Sequence, residues 1–375
     1  MVASHSVSLE ARPPRLSVSI VTRNSERNLA RIVAHARTYA HEVVIGVDAG
    51  SIDDTWTVAS SIADRAYRFT HPNQLAAAHM FALRHCTGDW ILRLDDDEFM
   101  EPGFEDVLPE LMRNPSVTHY SFPRKWVACE DPPQYLHAAP WFPNHALRMF
   151  RNDPSLVWKP PRYHTGYWVS GPGAVESRAA ILHYEPVWCS AEDRVRKVAA
   201  YREGGGNGVA EDFYENLVGE LRSFIPPKAL PISTPLNQYI DAEVHPLQVA
   251  ELPAWGCRFD ALDVPQQARP GQDLPVVMRL TNTGAMTWWR AETSWPMLSV
   301  AYRIVAEGQP QQEGRRTPIT GVIRPSEMSC LTGTIQAPDR PGNYILEWDV
   351  VSEFECWFAQ CGSAPKRTLL LVGAQ

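Results

Sequence analysis

Three consecutive aspartates followed by a glutamate, Asp95 to Glu98, are the residues of this sequence best suited to chemistry. They come directly after the apolar segment Trp90–Leu94 (WILRL), which is typical of a buried strand. Carboxylates crowded at one strand end repel each other and resist ionisation unless a cation neutralises them. Mg²⁺ and Mn²⁺ prefer such oxygen ligands, and substrate phosphates often complete their coordination. The segment therefore predicts a divalent-metal site that also holds a phosphorylated ligand.

Strand geometry suggests which of these acids bind the ion. Side chains two residues apart in a strand point the same way, so Asp95 and Asp97 are expected to face one ion and Asp96 to point away. An acidic triplet by itself is more typical of a solvated loop. Its position after an apolar strand, within an alternating pattern of strands and helices, favours the metal site.

The elements before the acids predict how they are positioned. Apolar, β-branched runs at 16–21 and 42–47 predict two further buried strands, and helical spacing separates the strands. Such alternation predicts a parallel, doubly wound α/β sheet, whose ligands bind at the carboxyl ends of the strands. Polar turns at 22–24 and 48–51 end the two strands. We therefore expect both turns on the same rim as the acids.

Composition narrows the possible partners and the compartment. The chain has 375 residues and a formal net charge of −8, which argues against nucleic acid as a main partner. The sequence has no run of about 18 apolar residues, so no transmembrane helix is expected, and the N-terminus does not resemble a signal peptide. The seven cysteines are scattered without a C-x-x-C pair. These features predict a cytoplasmic protein with reduced thiols.

Residues 16–100 resemble the family 2 glycosyltransferases, whose domain has the GT-A fold. The stretch 47–55 (VDAGSIDDT) is similar to the family's V-D-D-G-S-x-D-x-T, with Ala49 in place of the second aspartate. The stretch 88–98 (GDWILRLDDDE) is similar to the family's Gly-Asp-aromatic turn, strand and D-x-D-E ending. Segments 148–151 (RMFR) and 183–184 (HY) resemble elements of a subgroup that includes the bacterial lipopolysaccharide-core β-glucosyltransferases. The resemblance is weaker over 101–200 and absent beyond.

The resemblance implies a donor site and a metal site. The implied nucleotide-binding residues are Thr22, Arg23, Asn24, Asp48 and Asp96. The implied metal ligands are Asp95, Asp97 and His183, although a lone histidine is more often structural. The ion would be Mg²⁺ or Mn²⁺, and it would neutralise the charge that develops on the leaving diphosphate. The implied donor is a nucleotide-sugar, with a UDP-sugar favoured, and the acceptor is a saccharide or another hydroxyl compound.

An inverting transfer also needs a general base that removes the proton of the acceptor hydroxyl. The candidates are Glu98, His164 and Glu176, and the sequence does not choose among them. His164 stands where the subgroup has His-Glu, with Thr165 replacing the glutamate. Glu176 follows a Gly-Pro-Gly loop, a position equally compatible with a surface carboxylate.

The C-terminal part has a different pattern. From residue 259 onwards short period-two strands alternate with turns, which predicts an antiparallel β-sandwich. The stretches 281–288 (TNTGAMTW) and 341–348 (PGNYILEW) resemble those of immunoglobulin-like modules appended to bacterial enzymes. Sandwich folds bind carbohydrate, recruit partners or mediate dimerisation, so the fold alone does not indicate which function this domain has. A homodimer through this domain is one of the expectations.

The expected organisation is a GT-A domain followed by an all-β immunoglobulin-like sandwich. The predicted segments are a disordered tail at 1–15, the GT-A domain at 16–225, a Pro-rich linker at 226–258 and the sandwich at 259–375. Helices are expected over 192–202 and 212–224.

The predicted function is an inverting, metal-dependent glycosyltransferase. One alternative is a catalytically impaired GT-A protein that serves as a carbohydrate- or partner-binding module, which Ala49 and Thr165 favour. A nucleotidyltransferase is disfavoured, because 21–26 lacks the Gly-rich, basic loop typical of that class.

Overall fold

The structure is a computed structural model, and it describes residues 12–70, 75–158, 167–203, 214, 217–248, 255–289, 297–305, 311–353 and 356–373. The N-terminal strands are β1 (Leu16–Thr22), β2 (Glu42–Asp48), β3 (Arg65–Thr70), β4 (Trp90–Leu94), β5 (Glu98–Met100), β6 (His119–Glu130), β7 (Pro133–Leu136), β8 (Asn144–Arg151), β9 (Val157–Trp158), β10 (Trp168–Val169), β11 (Gly173–Val175), β12 (Ile181–His183), β13 (Leu221–Ser223) and β14 (Tyr239–Pro246). The helices are α1 (Leu29–Ala36), α2 (Thr55–Ile62), α3 (Leu75–Arg84), α4 (Phe104–Arg113), α5 (Glu185–Trp188) and α6 (Ala191–Glu203).

The N-terminal sheet is built around four parallel strands in the order β3-β2-β1-β4. β8 and β6 continue the sheet beyond β4 as antiparallel neighbours. The central strands are buried along nearly their whole length, as expected for parallel strands covered on both faces. In register, Thr22 lies opposite Val47 and Ile20 lies opposite Leu94, so the carboxyl ends of three strands share one rim. The predicted mostly parallel GT-A sheet is thus confirmed.

The apolar face of α1 packs against the N-terminal sheet. Leu29, Ile32 and Val33 of α1 are almost completely buried in the same core as Val18 and Ile20 of β1. Their i, i+3, i+4 spacing places them on one side of the helix, which covers the sheet.

The structure differs from the sequence expectations at three places. Residues 12–15 fall within the predicted tail, yet Arg12 forms a two-pronged ion pair with Asp89 at 2.8 and 2.9 Å. Leu221–Ser223, expected to end a helix, is strand β13 and pairs with β7. Tyr239–Pro246, expected to lie in a linker, pairs in parallel with β3 at the sheet edge as β14. Sheet pairing with distant strands outweighs local pattern at both strands. The helix predicted over 192–202 is confirmed as α6.

The C-terminal part is all-β. Its strands are β15 (Cys257–Asp263), β16 (Gln267–Ala268), β17 (Asp273–Asn282), β18 (Leu298–Val305), β19 (Gln312–Pro318), β20 (Met328–Gln336), β21 (Gly342–Ser352), β22 (Cys356–Trp357) and β23 (Lys366–Val372). One sheet has the order β15-β17-β20 and the other β16-β23-β21-β18-β19. The two sheets share one core that contains Trp255, Trp288, Trp348 and Phe358. The all-β prediction is confirmed, and the immunoglobulin-like likeness stays a prediction.

Hydrogen bonds connect the two parts of the chain. The backbone N–H of Thr287 donates to the Ser155 carbonyl oxygen at 2.7 Å, and the Ser170 hydroxyl donates to the Thr287 carbonyl oxygen at 2.6 Å. Trp158 of β9 packs against the C-terminal core. Among the residues described, no helix combines the length and apolar character that crossing a bilayer requires.

Candidate metal and nucleotide site

The rim at the carboxyl ends of β1, β2 and β4 brings together predicted nucleotide-binding residues. The Thr22 hydroxyl donates a hydrogen bond to Asp96 Oδ2 at 2.6 Å, which joins the ends of β1 and β4. Asp48 ends β2, where its Oδ1 accepts the backbone N–H of Gly50 at 2.8 Å and its Oδ2 lies 3.5 Å from Arg23 Nη1. Burial, and next to it the charge of Asp97, raise the pKa of Asp96 to about 7.

The two loops that follow β1 and β2 are tied to each other. Asn24 adopts a left-handed backbone conformation with φ of 53°, which asparagine tolerates better than most residues. Its side-chain oxygen accepts the backbone N–H of Ile52 at 2.9 Å. The neighbouring Arg23 is largely exposed, so its guanidinium faces solvent beside Asp48. The loops therefore form one connected wall, on which Arg23, Asn24 and Asp48 are adjacent as predicted.

Asp95 and Asp97 do not point the same way, contrary to the expectation from strand geometry. β4 ends at Leu94, and the Glu98 backbone N–H donates to the Asp95 carbonyl oxygen at 3.1 Å, which closes a turn. Strand alternation does not apply within a turn. Asp95 instead pairs with Arg93 and with Arg148, whose Nη2 lies 3.0 Å from Asp95 Oδ2.

The environment of Asp95 is therefore that of a salt-bridged carboxylate. Burial alone would raise the pKa of Asp95, but the Arg93 and Arg148 guanidinium groups outweigh it and hold that pKa well below its usual range. This arrangement satisfies Asp95 without a metal ion. Asp95 therefore helps to hold the turn in place. Other residues are better suited to the metal-ligand role that the sequence analysis gives to Asp95.

Glu98, a candidate general base, is buried in an ion pair. Its side chain has no exposed surface, and Arg148 donates to its two oxygens at 2.8 Å each. Burial raises the pKa of Glu98, but the Arg148 guanidinium outweighs this effect and lowers that pKa below its ordinary value. Glu98 Oε2 also accepts the backbone N–H of Asp95 at 3.1 Å. A carboxylate so enclosed holds the turn together, and it is not open to an acceptor hydroxyl.

A compact cluster lies next to this turn. β12 pairs with β5 so that His183 lies opposite Glu98, and the Tyr184 backbone N–H donates to the Asp97 carbonyl oxygen at 2.8 Å. His183 Nε2 lies 3.4 Å from Asp97 Oδ2 and 3.4 Å from Glu185 Oε2. One ligand atom from each of these three residues lies within 4.8 Å of the others. Asp97 and His183, predicted as metal ligands, are thus brought together.

The cluster fits a divalent cation. Asp97 Oδ1 and Glu185 Oε2 are buried and have no hydrogen-bond partner in the described parts of the chain. Unsatisfied buried polar atoms are rare in native proteins, and one explanation for them is a bound ion. Burial lowers the pKa of His183, but Asp97 and Glu185 outweigh it and raise the pKa to about 9. The carboxylates thus attract a positive charge to this position.

The remaining candidate bases are not at this cluster. Glu176 pairs with Arg178, and its backbone N–H bonds to Ser121 in β6. Where β12 runs beside β6, His183 lies opposite Trp126. Trp126 is five residues beyond Ser121, a distance of about 16 Å along the strand. The structure therefore does not bring Glu176 to the metal cluster. His164 lies outside the described residues, so its role stays a prediction.

Glu185 and Lys197 are site residues that the sequence pattern did not reveal. Glu185 is 2% exposed, and Lys197 Nζ donates to its Oε1 at 2.5 Å. The spacing of His183 and Glu185, two residues apart, is the one local signal that could have suggested a shared direction. That signal is weak, because it occurs by chance in any strand or turn.

The sheet order, the polar rim and the acidic turn after β4 define a GT-A domain. Residues 17–169 match Glycosyl transferase family 2, so this part of the chain is a family 2 glycosyltransferase domain.

Curated relatives match part of this chain at low identity. The lipopolysaccharide core biosynthesis glycosyltransferase LpsC of Rhizobium meliloti is 25% identical over 182 residues, which cover 46% of this chain and 64% of LpsC. A TPR repeat-containing protein of Synechococcus elongatus is 25% identical over 180 residues, covering 48% of this chain and 40% of that protein. The chain thus spans less than two thirds of the length of either relative.

Solved structures give a weaker likeness. The crystal structure of TarS from S. aureus is 10% identical and covers 96% of this chain and 78% of that chain, with a TM-score of 0.35. A TM-score this low supports no structural inference.

Proposed function

We propose that this protein transfers a sugar from a nucleotide-sugar to a hydroxyl acceptor, with inversion, at a metal-dependent site on the rim of the N-terminal sheet. The observation that carries the proposal is the meeting of Asp97 and His183 next to the rim occupied by Thr22, Asp48 and Asp96. A family 2 domain over residues 17–169 supports the reaction class.

Different parts of the site have different roles in this proposal. The loops after β1 and β2 present Arg23, Asn24 and Asp48 as a wall for the nucleoside of the donor. Asp97 and His183 are placed to hold a divalent ion, and Arg93 and Arg148 keep the neighbouring turn in place. A bound Mg²⁺ or Mn²⁺ would supply electrostatic stabilisation of the leaving diphosphate.

Donor and acceptor classes are the finer part of the proposal. We favour a UDP-sugar as the donor on the strength of the resemblance to the subgroup with the RMFR and HY elements. The name of LpsC connects that relative with lipopolysaccharide core biosynthesis. A saccharide acceptor is therefore the first to test. Inversion follows from the same resemblance to β-glucosyltransferases, and a cytoplasmic location is part of the proposal because the pattern of cysteines favours reduced thiols.

A panel of nucleotide-sugars tests this function. The full chain is incubated with UDP-, GDP-, dTDP- and CMP-sugars, with Mn²⁺ or with EDTA, and release of free nucleotide is measured with and without saccharide acceptors. We expect release from one donor class, dependent on Mn²⁺ and increased by an acceptor. Nucleotide binding without release from any donor would favour the alternative, a GT-A domain that only binds.

The role of the C-terminal domain is proposed separately. A homodimer through the sandwich would place two catalytic domains in one particle. Sedimentation velocity over a range of concentrations distinguishes a dimer from a monomer, and deletion of residues 259–375 should abolish the dimer if this domain forms it.

A further inference from the structure

We propose that Glu185 is a third protein ligand of the metal, so that Asp97, His183 and Glu185 form a site that binds Mn²⁺ before the nucleotide-sugar arrives. The inference rests on the proposed function and deepens it, because it concerns the same metal site. It adds a ligand that the sequence pattern did not indicate, and it predicts an order of binding.

The spacing of the three ligand atoms suits one ion. His183 Nε2 is 3.4 Å from both Asp97 Oδ2 and Glu185 Oε2, and the ligand atoms of the three residues lie within 4.8 Å of one another. An octahedral ion about 2.1 Å from each ligand holds neighbouring ligand atoms about 3.0 Å apart and opposite ones about 4.2 Å apart. Shifts of a few tenths of an ångström would bring all three atoms into contact with a single ion.

Hydrogen bonding within the cluster does not replace an ion. One imidazole N–H at Nε2 can point at one carboxylate at a time, whereas a cation attracts both at once. Neither Asp97 Oδ1 nor Glu185 Oε2 has a hydrogen-bond partner within the described ranges, although both atoms are buried. Glu185 is 2% exposed and His183 is 3% exposed, so water cannot screen the two carboxylates freely.

Lys197 fixes the direction of Glu185. Its Nζ donates to Glu185 Oε1 at 2.5 Å, which leaves Oε2 turned towards His183. Groups that hold a ligand in this way commonly change metal affinity by about 10–100-fold when they are removed. Lys197 is therefore a positioning residue, and Glu185 is the residue that contacts the ion.

Three protein ligands have consequences for affinity and selectivity. A Mg²⁺ site commonly has one or two carboxylates and relies on substrate phosphates, so it forms only with the substrate. Two carboxylates and an imidazole supply half of an octahedral shell and leave three positions open for phosphate or water. Imidazole binds transition metals better than it binds Mg²⁺. We therefore expect Mn²⁺ to bind the protein alone, and to bind more tightly than Mg²⁺.

The test is a Mn²⁺ titration of the full chain without nucleotide, in which the electron paramagnetic resonance signal of the free ion is measured at each step. Wild type should bind one Mn²⁺, and Glu185→Gln should bind it at least 10-fold more weakly. Glu101→Gln is the matched control, because Glu101 is also a carboxylate with little exposed surface, 20% of its side chain, and is paired with a lysine, Lys125, at 2.6 Å. This control should bind Mn²⁺ as the wild type does.

The outcomes separate this inference from the proposed function. Unchanged Mn²⁺ affinity in Glu185→Gln would overturn the ligand role. Mn²⁺ binding that requires UDP would overturn the preassembled site and leave the proposed function standing. No Mn²⁺ binding under either condition would overturn both.

A structural measurement covers the case in which Glu185→Gln does not fold. Anomalous scattering from Mn²⁺-soaked crystals of the wild type should place the ion within about 2.5 Å of Glu185 Oε2. An ion held by Asp97 and His183 but remote from Glu185 would refute the inference.

Discussion

Arg148→Met tests how the acidic turn after β4 is held. Arg148 donates two hydrogen bonds to Glu98 at 2.8 Å and one to Asp95 at 3.0 Å. Glu98 has no exposed surface, so the variant leaves a buried carboxylate without its main partner. Arg124 lies 3.8 Å from Glu98 and compensates only in part. Breaking one side of a buried ion pair costs about 3–5 kcal/mol, and we expect the free energy of unfolding to fall by that amount.

Removing both charges should restore much of this stability. In Arg148→Met/Glu98→Gln no buried charge is left without a partner, and replacing a whole buried pair is often nearly neutral. The Arg12→Met variant is the control. Arg12 also forms a two-pronged pair, with Asp89, but the two side chains are 57% and 38% exposed, and surface pairs contribute little.

Urea unfolding followed by tryptophan fluorescence measures these differences. We expect a large loss of stability for Arg148→Met, partial recovery in the double variant and little change for Arg12→Met. A stability of Arg148→Met within about 1 kcal/mol of the wild type would refute the reasoning, because it would show that Glu98 does not need this partner. A double variant no more stable than Arg148→Met would refute it as well.

Three further predictions concern contacts elsewhere in the chain. Gly88→Ala should lower stability by about 1–3 kcal/mol in urea unfolding, because the added Cβ would lie 2.7 Å from the backbone nitrogen of Ser17; a stable variant would contradict this contact. Thr22→Val should cost about 1–3 kcal/mol by losing the hydrogen bond to Asp96, whereas Thr22→Ser keeps the hydroxyl and should cost less; equal losses would contradict the assignment. Trp288→Ala should cost about 3–5 kcal/mol in the C-terminal domain and leave Mn²⁺ affinity unchanged, and a parallel loss of Mn²⁺ binding would show that the domains are coupled.

The sheet and its rim could be predicted from the sequence because their signals are local. Apolar runs marked the strands at 16–21 and 42–47, and polar turns followed each of them. Parallel topology then placed those turns on one edge, as the hydrogen bond from Thr22 to Asp96 shows. Alternating strand patterns were equally sufficient to predict the all-β C-terminal part.

The direction of individual side chains could not be predicted in the same way. β4 ends at Leu94, as the sequence predicts, but Asp95 and Asp97 diverge because a turn follows, and strand alternation does not apply within a turn. The sequence pattern alone presents Glu98 as an available carboxylate, but Arg148, fifty residues away in sequence, encloses it in the fold. Glu185 joins the cluster through the pairing of β12 with β5, a tertiary contact without a local signal.

The local sequence does not indicate strand β14, for a related reason. Tyr239–Pro246 has prolines before it and at its end, which is the composition of a connector. An edge strand tolerates proline because one side of it needs no hydrogen-bonded neighbour, and among the described residues β14 pairs only with β3.

Binding of UDP measured by isothermal titration calorimetry, with Mn²⁺ and with EDTA, tests the central claim most directly. The claim is that the rim of the N-terminal sheet is a metal-dependent nucleotide-sugar site with Asp97 as a ligand. We predict that wild type binds UDP with Mn²⁺ and not with EDTA, and that Asp97→Asn loses this binding while its thermal unfolding stays close to that of the wild type. UDP binding that persists in EDTA, or in Asp97→Asn at wild-type affinity, would contradict the claim.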